Sequence, residues 1–397
     1  MSMPRAVRHI NEMRVLDVIL RNGRISRANI AKELGLTRST ASSIVAGLAD
    51  EGLLVEDNSE EDKGAGTGRP GTFVQLNANR ALFIGADIGI GRICIVAVGL
   101  DAKPIAQETF PFDLESSTPE SLIDRVVNGV RILQSRIGEN HTSRGLCVIV
   151  PGLIDKSGNV LRAPFLGWHN EPLLQRLCGK LPDFPTVIAE NDANAFAFAD
   201  AFLVKGEASG TEIYLFLDSG VGGAIIKDGQ LLRGADGYAG EFGHVIIGDR
   251  GFVELATPAG SVESFIGLDA VMARYREYGG SATDFADLHA AVAEGQPAAM
   301  ATLKDWAFYL ARTVAMIGSV FNPSRIVLGG KVASLFPYCG QMLEEGLTAN
   351  VLGDQPIPEI RLSEVGVEGP ALGGALVLHR QMFSLDEELV FRTRAVG

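Results

Sequence analysis

From Leu82 onward one plan is laid down twice. Apolar runs of strand length, LFIGADIG and RICIVAVGL, meet at the turn Asp87-Ile88-Gly89; further on, EIYLFLDSGVGGAIIKDGQLL puts Asp218-Ser219-Gly220 in the corresponding place. PIAQETFPF adds a third strand to the first set, and a helix follows from Pro119 to Ile137. GLCVIVPGLID reads as a buried strand ending in a glycine turn, and TVIAENDANAFAFADAF as a strand running into a helix. The second set closes with RIVLGGKV and a helix containing GPALGGALVLH. Two β-rich halves with matching Asp-Gly loops predict a duplicated α/β fold of two lobes with a cleft between them. The 47 glycines fit many tight strand-to-helix turns where backbone comes close to a ligand.

The preceding residues follow a different period. Between Val7 and Leu20, Ile10, Met13, Leu16, Ile19 and Leu20 recur at spacings of three and four until Asn22-Gly23 stops the helix. Ser26 caps a second helix, RANIAKEL, ended by Gly35. Thr37 caps a third, with Ala41, Ile44, Val45 and Leu48 on its inner face. Three short helices with a tight Gly-Leu-Thr turn between the last two make a helix-turn-helix. Arg38, Ser39, Thr40, Ser42 and Ser43 are what the third helix shows outward. Small hydroxyls and one guanidinium can bond base edges and phosphates in a major groove without obstruction. Leu53-Leu54-Val55 and Thr72 to Leu76 then read as a hairpin around a loop containing DNSEEDKGAGTGRPG, which makes the unit a winged helix. Its acidic portion, Glu60 to Asp62, would avoid phosphates, while Arg69 on the stiff Gly-Arg-Pro turn suits a minor groove. Arg27, Thr37, Arg38, Ser39, Thr40, Ser42, Ser43 and Arg69 are the candidate DNA contacts. The expected boundary gives a DNA-binding domain at 1–78 and a two-lobed domain at 79–397.

Charge agrees with that division. Residues 1–48 carry eight Arg or Lys against three Asp or Glu, a balance of +5, which leaves −18 for the rest of a chain whose net charge is −13. A basic module on an acidic body is the pattern of a unit that approaches a polyanion. The composition is that of a soluble globular protein, 46% hydrophobic and 21% charged, with no apolar run near the ~20 residues that span a bilayer. The first residues, MSMPRAVRHINEM, lack the apolar core of a secretory signal, so a cytoplasmic location and no membrane partner are expected. Cys94, Cys147, Cys178 and Cys339 lie far apart without CxxC spacing, which argues against a disulfide framework or a cysteine-rich zinc site.

The larger part of the chain resembles the ROK family (repressors, open reading frames, kinases), within the sugar-kinase and actin-like superfamily. The resemblance rests on VPGLID at 150–155, ENDANA at 190–195, DSGVGGAIIKDG at 218–229, GEFGHVIIGDRG at 240–251 and NPSRIVLGG at 322–330, in that order and spacing. It implies a sugar-binding, kinase-like body preceded by the winged helix. By the same resemblance Gly152, Asn191, Asp192, Glu241, His244 and Glu263 are candidate ligand contacts. Asn191 and Asp192 stand at the C-terminal mouth of a strand, where α/β sheets place ligands, and offer donors and acceptors suited to vicinal hydroxyls. In family kinases the residue matching Asp192 is the base that takes the proton of the attacking sugar hydroxyl.

Three departures limit what carries over. Where zinc-bearing members have three cysteines after the Gly-His pair, this chain has Glu254, Ala256 and Ser261; with His244 alone remaining, no metal is expected. Where family kinases read DxGGTK in the first phosphate loop, this chain reads Asp87-Ile88-Gly89-Ile90-Gly91-Arg92. The branched Ile90 obstructs the backbone's approach to phosphate, although Arg92 keeps a positive charge nearby. Where members often carry a sugar-contacting Asn, Phe165 stands, which offers a stacking face and no hydrogen bond.

The expectation is a transcriptional regulator rather than an enzyme. A winged-helix head binds a double-stranded DNA operator, and a monosaccharide or derivative in the cleft releases a repressor of carbohydrate uptake or catabolism genes. No cofactor is expected, and a palindromic operator implies a homodimer or homotetramer. The alternative is an ATP-dependent sugar kinase with an appended DNA-binding head, for which Asp192 would be the catalytic base; gating by a partner protein is a third.

Overall fold

The computed structural model describes residues 3–57, 72–138, 141–204, 210–351, 353 and 356–383. The head is built from α1 (Met3–Asn22), β1 (Arg24–Ser26), α2 (Arg27–Leu34), α3 (Arg38–Asp50), β2 (Leu54–Asp57) and β3 (Phe73–Leu76). Ser26 Oγ accepts from the Asn29 N–H at 3.2 Å and caps α2. Gly35, at φ 65°, turns the chain out of α2, and Thr37 Oγ1 accepts from the Thr40 N–H at 3.2 Å to start α3. These caps hold the two helices of the helix-turn-helix as the sequence implies. β1 joins the hairpin as well, giving a sheet of order β1-β3-β2.

The buried face of α1 differs from the expected one. Val15, Leu16, Val18 and Ile19 are buried, whereas Val7 and Ile10 are 54% and 42% exposed. The face is shifted because α1 is covered by α2, α3 and the strands β1 and β3 within the head and, from outside it, by the helix Gly369–Phe383. Each fully buried Leu or Ile of this set contributes about 1.5–3 kcal/mol.

The first lobe comprises β4 (Ala81–Gly89), β5 (Arg92–Val98), β6 (Pro104–Pro111), α4 (Pro119–Ile137), β7 (Thr142–Val150), the small sheet β8 (Leu153–Ile154), β9 (Val160–Ala163) and β10 (Trp168–Glu171), then α5 (Leu173–Lys180), β11 (Val187–Asn191) and α6 (Asp192–Leu203). The second comprises β12 (Thr211–Leu217), β13 (Val221–Lys227), β14 (Gln230–Leu231), α7 (Glu263–Ile266), α8 (Leu268–Glu277), α9 (Phe285–Ala293), α10 (Pro297–Phe321), β15 (Arg325–Gly329), α11 (Gly340–Asn350) and β16 (Glu359–Leu362). The chain then returns to the first lobe as α12 (Gly369–Phe383).

The two large sheets have one topology. The first runs β11-β7-β4-β5-β6 and the second β16-β15-β12-β13-β14. In each, the first strand pairs antiparallel with the next strand in sequence and parallel with the later one. The turn after the first strand therefore falls at the same point of both lobes, which brings Asp87 and Asp218 to one cleft.

Helices α6 and α12 lie against each other between the sheets, α6 touching β12 and β13 and α12 touching β4, β5 and β7. Glycine makes this approach possible. A Cβ on Gly373 would sit 1.8 Å from the Ala195 carbonyl oxygen, and one on Gly85 as close to that of Ala371. The apolar surface of α12 is continuous with that of the head. Leu372, Leu376 and Leu378 belong to one buried cluster with Phe83, Val96 and Ile149 of the first sheet and with Val15, Leu16, Ile19, Leu48 and Val74 of the head. At the junction Asn77 Nδ2 donates to the Gly52 carbonyl and Arg80 Nε to the Glu51 carbonyl, both at 2.9 Å.

Candidate functional site

The sequence folds ENDANA so that a strand end becomes a helix cap. β11 delivers Asn191 to the edge of the cleft, with Glu190 buried behind it, and Asn191 Oδ1 accepts from the Asn194 N–H at 3.1 Å, starting α6 at Asp192. The same side chain donates through Nδ2 to the Gly152 carbonyl at 3.1 Å. Gly152 can be no other residue without rearrangement, since a Cβ would lie 2.3 Å from the Arg162 carbonyl oxygen. From the second lobe, Glu241 precedes the short turn Phe242–His244, with His244 Nδ1 3.3 Å from Glu241 Oε2. Glu263 starts α7, and its Oε2 accepts from the Val221 N–H at 2.8 Å.

All six candidate ligand residues thus line a single cleft of about 380 Å³, three from each lobe. Asp87 and Asp218 from the repeated loops line it too, as do Phe165, Arg92, Arg162 and Lys331. The ring of Phe165 crosses from the first lobe to Gly220 of the second, 3.0 Å from where a Cβ on that glycine would stand. Lys331 Nζ is 3.6 Å from Asp218 Oδ1.

The cavity gathers five carboxylates, and burial first and like charges second raise the cost of ionising four of them, Asp87, Asp192, Glu241 and Glu263. Burial pushes Asp87 up to about 7, with further repulsion from Asp192 and Asp218 and partial relief from Arg92. Asp192 is also pushed up to about 7 by burial, against the Ala193 N–H that favours its charged form, with Glu241 and Asp218 adding to the rise. Burial raises Glu241 despite the adjacent His244, and raises Glu263 despite the Val221 N–H. Carboxyls that hold a proton donate and those that lose it accept, so the wall meets hydroxyl groups in either sense.

The part of the cleft beside the first Asp-Gly loop is differently made. Ile90 is exposed at the rim, and Arg92 Nη2 donates to the Val367 carbonyl at 2.9 Å, which fixes it to the segment entering α12. Sequence reasoning saw the charge of Arg92 but not this partner, 275 residues away. It also passed over Arg233, whose Nη2 donates to Glu190 Oε2 at 2.5 Å, because nothing in its local pattern sets it apart from a loop arginine. At the positions of the absent cysteines, Glu254 and Ala256 are exposed and Ser261 is buried. Among the described residues no three of His, Cys, Asp and Glu converge as a metal site would require.

A match to the ROK family extends over residues 83–381. The chain belongs to the ROK family. Residues 8–63 match the MarR family, in keeping with the winged-helix head. Over 380 residues the chain is 28% identical to the xylose repressor of Bacillus spizizenii, covering 92% of this chain and 94% of that one. It superposes on a ROK family transcriptional regulator, a homologue of the E. coli Mlc protein, with a TM-score of 0.79 at 22% identity, over 98% of this chain and 99% of that one. Its body superposes on a ROK family glucokinase from Streptomyces griseus in complex with glucose and AMPPNP, with a TM-score of 0.64 at 22% identity, over 75% of this chain and 98% of that one. The duplicated ROK body and the winged-helix head expected from the sequence are therefore both present.

On the head, Arg38, Ser39, Thr40 and Ser43 are exposed on α3, opposite its buried Ala41, Ile44, Val45 and Leu48, and Ser42 is half-buried. The Thr37 hydroxyl is within hydrogen-bonding distance of Ser39 Oγ (3.0 Å) and Thr40 Oγ1 (2.8 Å), so part of this hydroxyl set is tied into the cap. Arg27 is paired with Glu56 at the end of β2 and is half-buried, unlike Arg38. Arg69 lies outside the described residues. Among those described, no helix is long and apolar enough to cross a membrane.

Proposed function

We propose that this chain is a repressor of carbohydrate uptake or catabolism genes, released from its operator by a monosaccharide bound in the cleft. The observation that carries this reading is the course of α12. Pro370, in its first turn, lines the cleft, and its far end is buried in the apolar cluster of the head. Gly152, Asn191, Asp192, Glu241, His244 and Glu263 hold the hydroxyls of the sugar, with Phe165 against an apolar face of it. Closure of the lobes on the ligand moves α12 against the sheet and thereby tilts the head. In a homodimer or homotetramer on a palindromic operator, such a tilt changes the spacing of two recognition helices and loses register with half-sites about one helical turn apart. Ligand shifts this equilibrium only by its differential affinity for the two forms.

The repressors of similar length to which the chain is related are named for xylose, so an aldopentose is the first effector to test. Arg38, Ser39, Thr40, Ser42 and Ser43 read the operator; Arg69 adds a minor-groove contact, and Arg27 and Thr37 support the placement of α2 and α3. The proposed functional division falls at residue 78, with a DNA-binding unit before it and the sugar-binding unit after.

Retention of Asp192 at the cleft favours one other reading, an ATP-dependent sugar kinase with a DNA-binding head. Ile90 and the engagement of Arg92 with Val367 weigh against it. Thermal shift with pentoses, hexoses, amino sugars and their phosphates, with and without ATP, separates the two. Stabilisation by one sugar without ATP, and release of bound DNA by that sugar, supports the repressor. Sugar-dependent ATP consumption favours the kinase, and no response to any sugar removes both.

A further inference from the structure

We propose that Arg233 and Glu190 form a clasp between the lobes that sets the spacing of the two halves of the ligand site, with Arg233 as the positioning residue. The inference rests on the sugar-binding reading above and adds to it a device by which the cleft is held.

Glu190 is buried at the end of β11 and makes no approach to the cavity wall. Its carboxylate is fully engaged. Oε1 accepts from the Asn191 N–H at 2.9 Å and from Asn194 Nδ2 at 3.0 Å, and Oε2 accepts from Arg233 Nη2 at 2.5 Å. Through the first two bonds it orients the residue that caps α6 and touches the Gly152 carbonyl. Through the third it reaches the other lobe.

Arg233 follows β14 and starts the loop that carries Glu241 and His244. Its carbonyl accepts from the Ala239 N–H at 3.1 Å, closing a turn that runs directly into Glu241 and His244. One ion pair therefore links the base of the Asn191-Asp192 segment to the base of the Glu241-His244 segment. A buried carboxylate with a single cationic partner is costly to leave unpaired, so the pair resists separation.

A second link shows why this one governs the mouth. Asp200, near the other end of α6, is held by Arg361 and by Ser363 Oγ at 2.6 Å, both from the second lobe. Eight residues of helix put that anchor about 12 Å from Asp192. Between the two, α6 packs on the second sheet through Phe196, which lies against Phe216 and Gly329, so the rear and middle of α6 form the hinge and loss of the Arg233 bond loosens the mouth of the cleft alone. Among the described residues the other side-chain hydrogen bond across the rim, Arg162 Nη2 to the Ala256 carbonyl, is 3.4 Å long and exposed, too weak to replace it.

The test uses full-length protein and D-xylose as the probe, with hexoses alongside. Arg233→Met is expected to weaken sugar binding about tenfold, in the range for groups coupled through one network, and Arg233→Lys to recover part of the loss. Spin labels at Ser135→Cys and Glu345→Cys in a Cys178→Ser background report the interlobe distance without sugar. That distribution should broaden in Arg233→Met and narrow again in Arg233→Lys. Glu190→Gln, nearly equal in volume, should broaden it likewise and serves if Arg233→Met does not fold. Unchanged sugar affinity in a folded Arg233→Met protein, or an unchanged distance distribution, overturns the clasp. If the wild-type protein binds no sugar, the function proposed above falls with the ligand-site role of the pair, while the distance measurement still decides whether the pair holds the lobes.

Discussion

Asn191 spans two elements at once: Oδ1 caps α6 through the Asn194 N–H, and Nδ2 holds the Gly152 carbonyl, each at 3.1 Å. A side chain so used presents a fixed edge to the cleft, because neither end can turn without releasing a bond. Asn191→Ala is expected to cost about 1 kcal/mol of stability from the cap alone and to abolish the ligand-induced thermal shift. Asn191→Asp keeps the cap acceptor but loses the donor to Gly152 and adds a sixth carboxylate to the cavity. It should retain more stability than the alanine variant and still lose the shift. Urea titration and thermal shift, run in parallel, separate the two effects.

The buried carboxyls give a pH dependence of defined sign. Asp87 titrates near 7 in the folded chain against 3.8 when unperturbed, and Asp192 behaves alike. Between those values the folded state binds more protons than the unfolded state, so stability contributed by these groups is greatest at the acid end and falls as pH rises toward 7. Asp87→Asn should flatten that fall, read from urea midpoints taken across the range. A wild-type protein whose midpoint rises through the same window for reasons the variant leaves unchanged would count against the shift.

Arg38 is exposed on the outer face of α3, whereas Arg27 is engaged with Glu56. Arg38→Ala should therefore weaken operator binding by about 1–3 kcal/mol and leave sugar affinity as it is. Arg27→Ala should lower the thermal stability of the head more than it lowers DNA affinity. Band-shift titration beside thermal melting tests both.

The pair at the rear of α6 is a stability element. Asp200 is 1% exposed, and Arg361 is its cationic partner. Arg361→Ala leaves a buried carboxylate with Ser363 alone and should cost about 3 kcal/mol, visible in chemical denaturation. Replacing both residues together, Asp200→Leu with Arg361→Met, should recover much of it.

What was legible in the sequence was what short-range pattern records. The caps at Ser26 and Thr37, the repeated turns that hold Asp87 and Asp218, and the convergence of six residues on one cleft follow from spacing or from motif order. What was not legible depends on contacts between distant segments. The inner face of α1 is misjudged at Ile10 because periodicity cannot tell that β3 and, some 360 residues later, α12 also pack against this helix. The same holds for Arg233 with Glu190 and Arg92 with Val367, whose partners no local window contains.

The apolar cluster shared by the head and α12 bears on how such proteins can be recombined. A DNA-reading unit cut at residue 78 would carry away Val15, Leu16, Ile19 and Leu48 without the Leu376 and Leu378 that help to cover them, and would leave the body with the complementary wound. Grafting this head onto another sugar-binding body therefore means transplanting the final turns of α12 along with it, so that operator choice and a helix some 300 residues away are inherited as one piece.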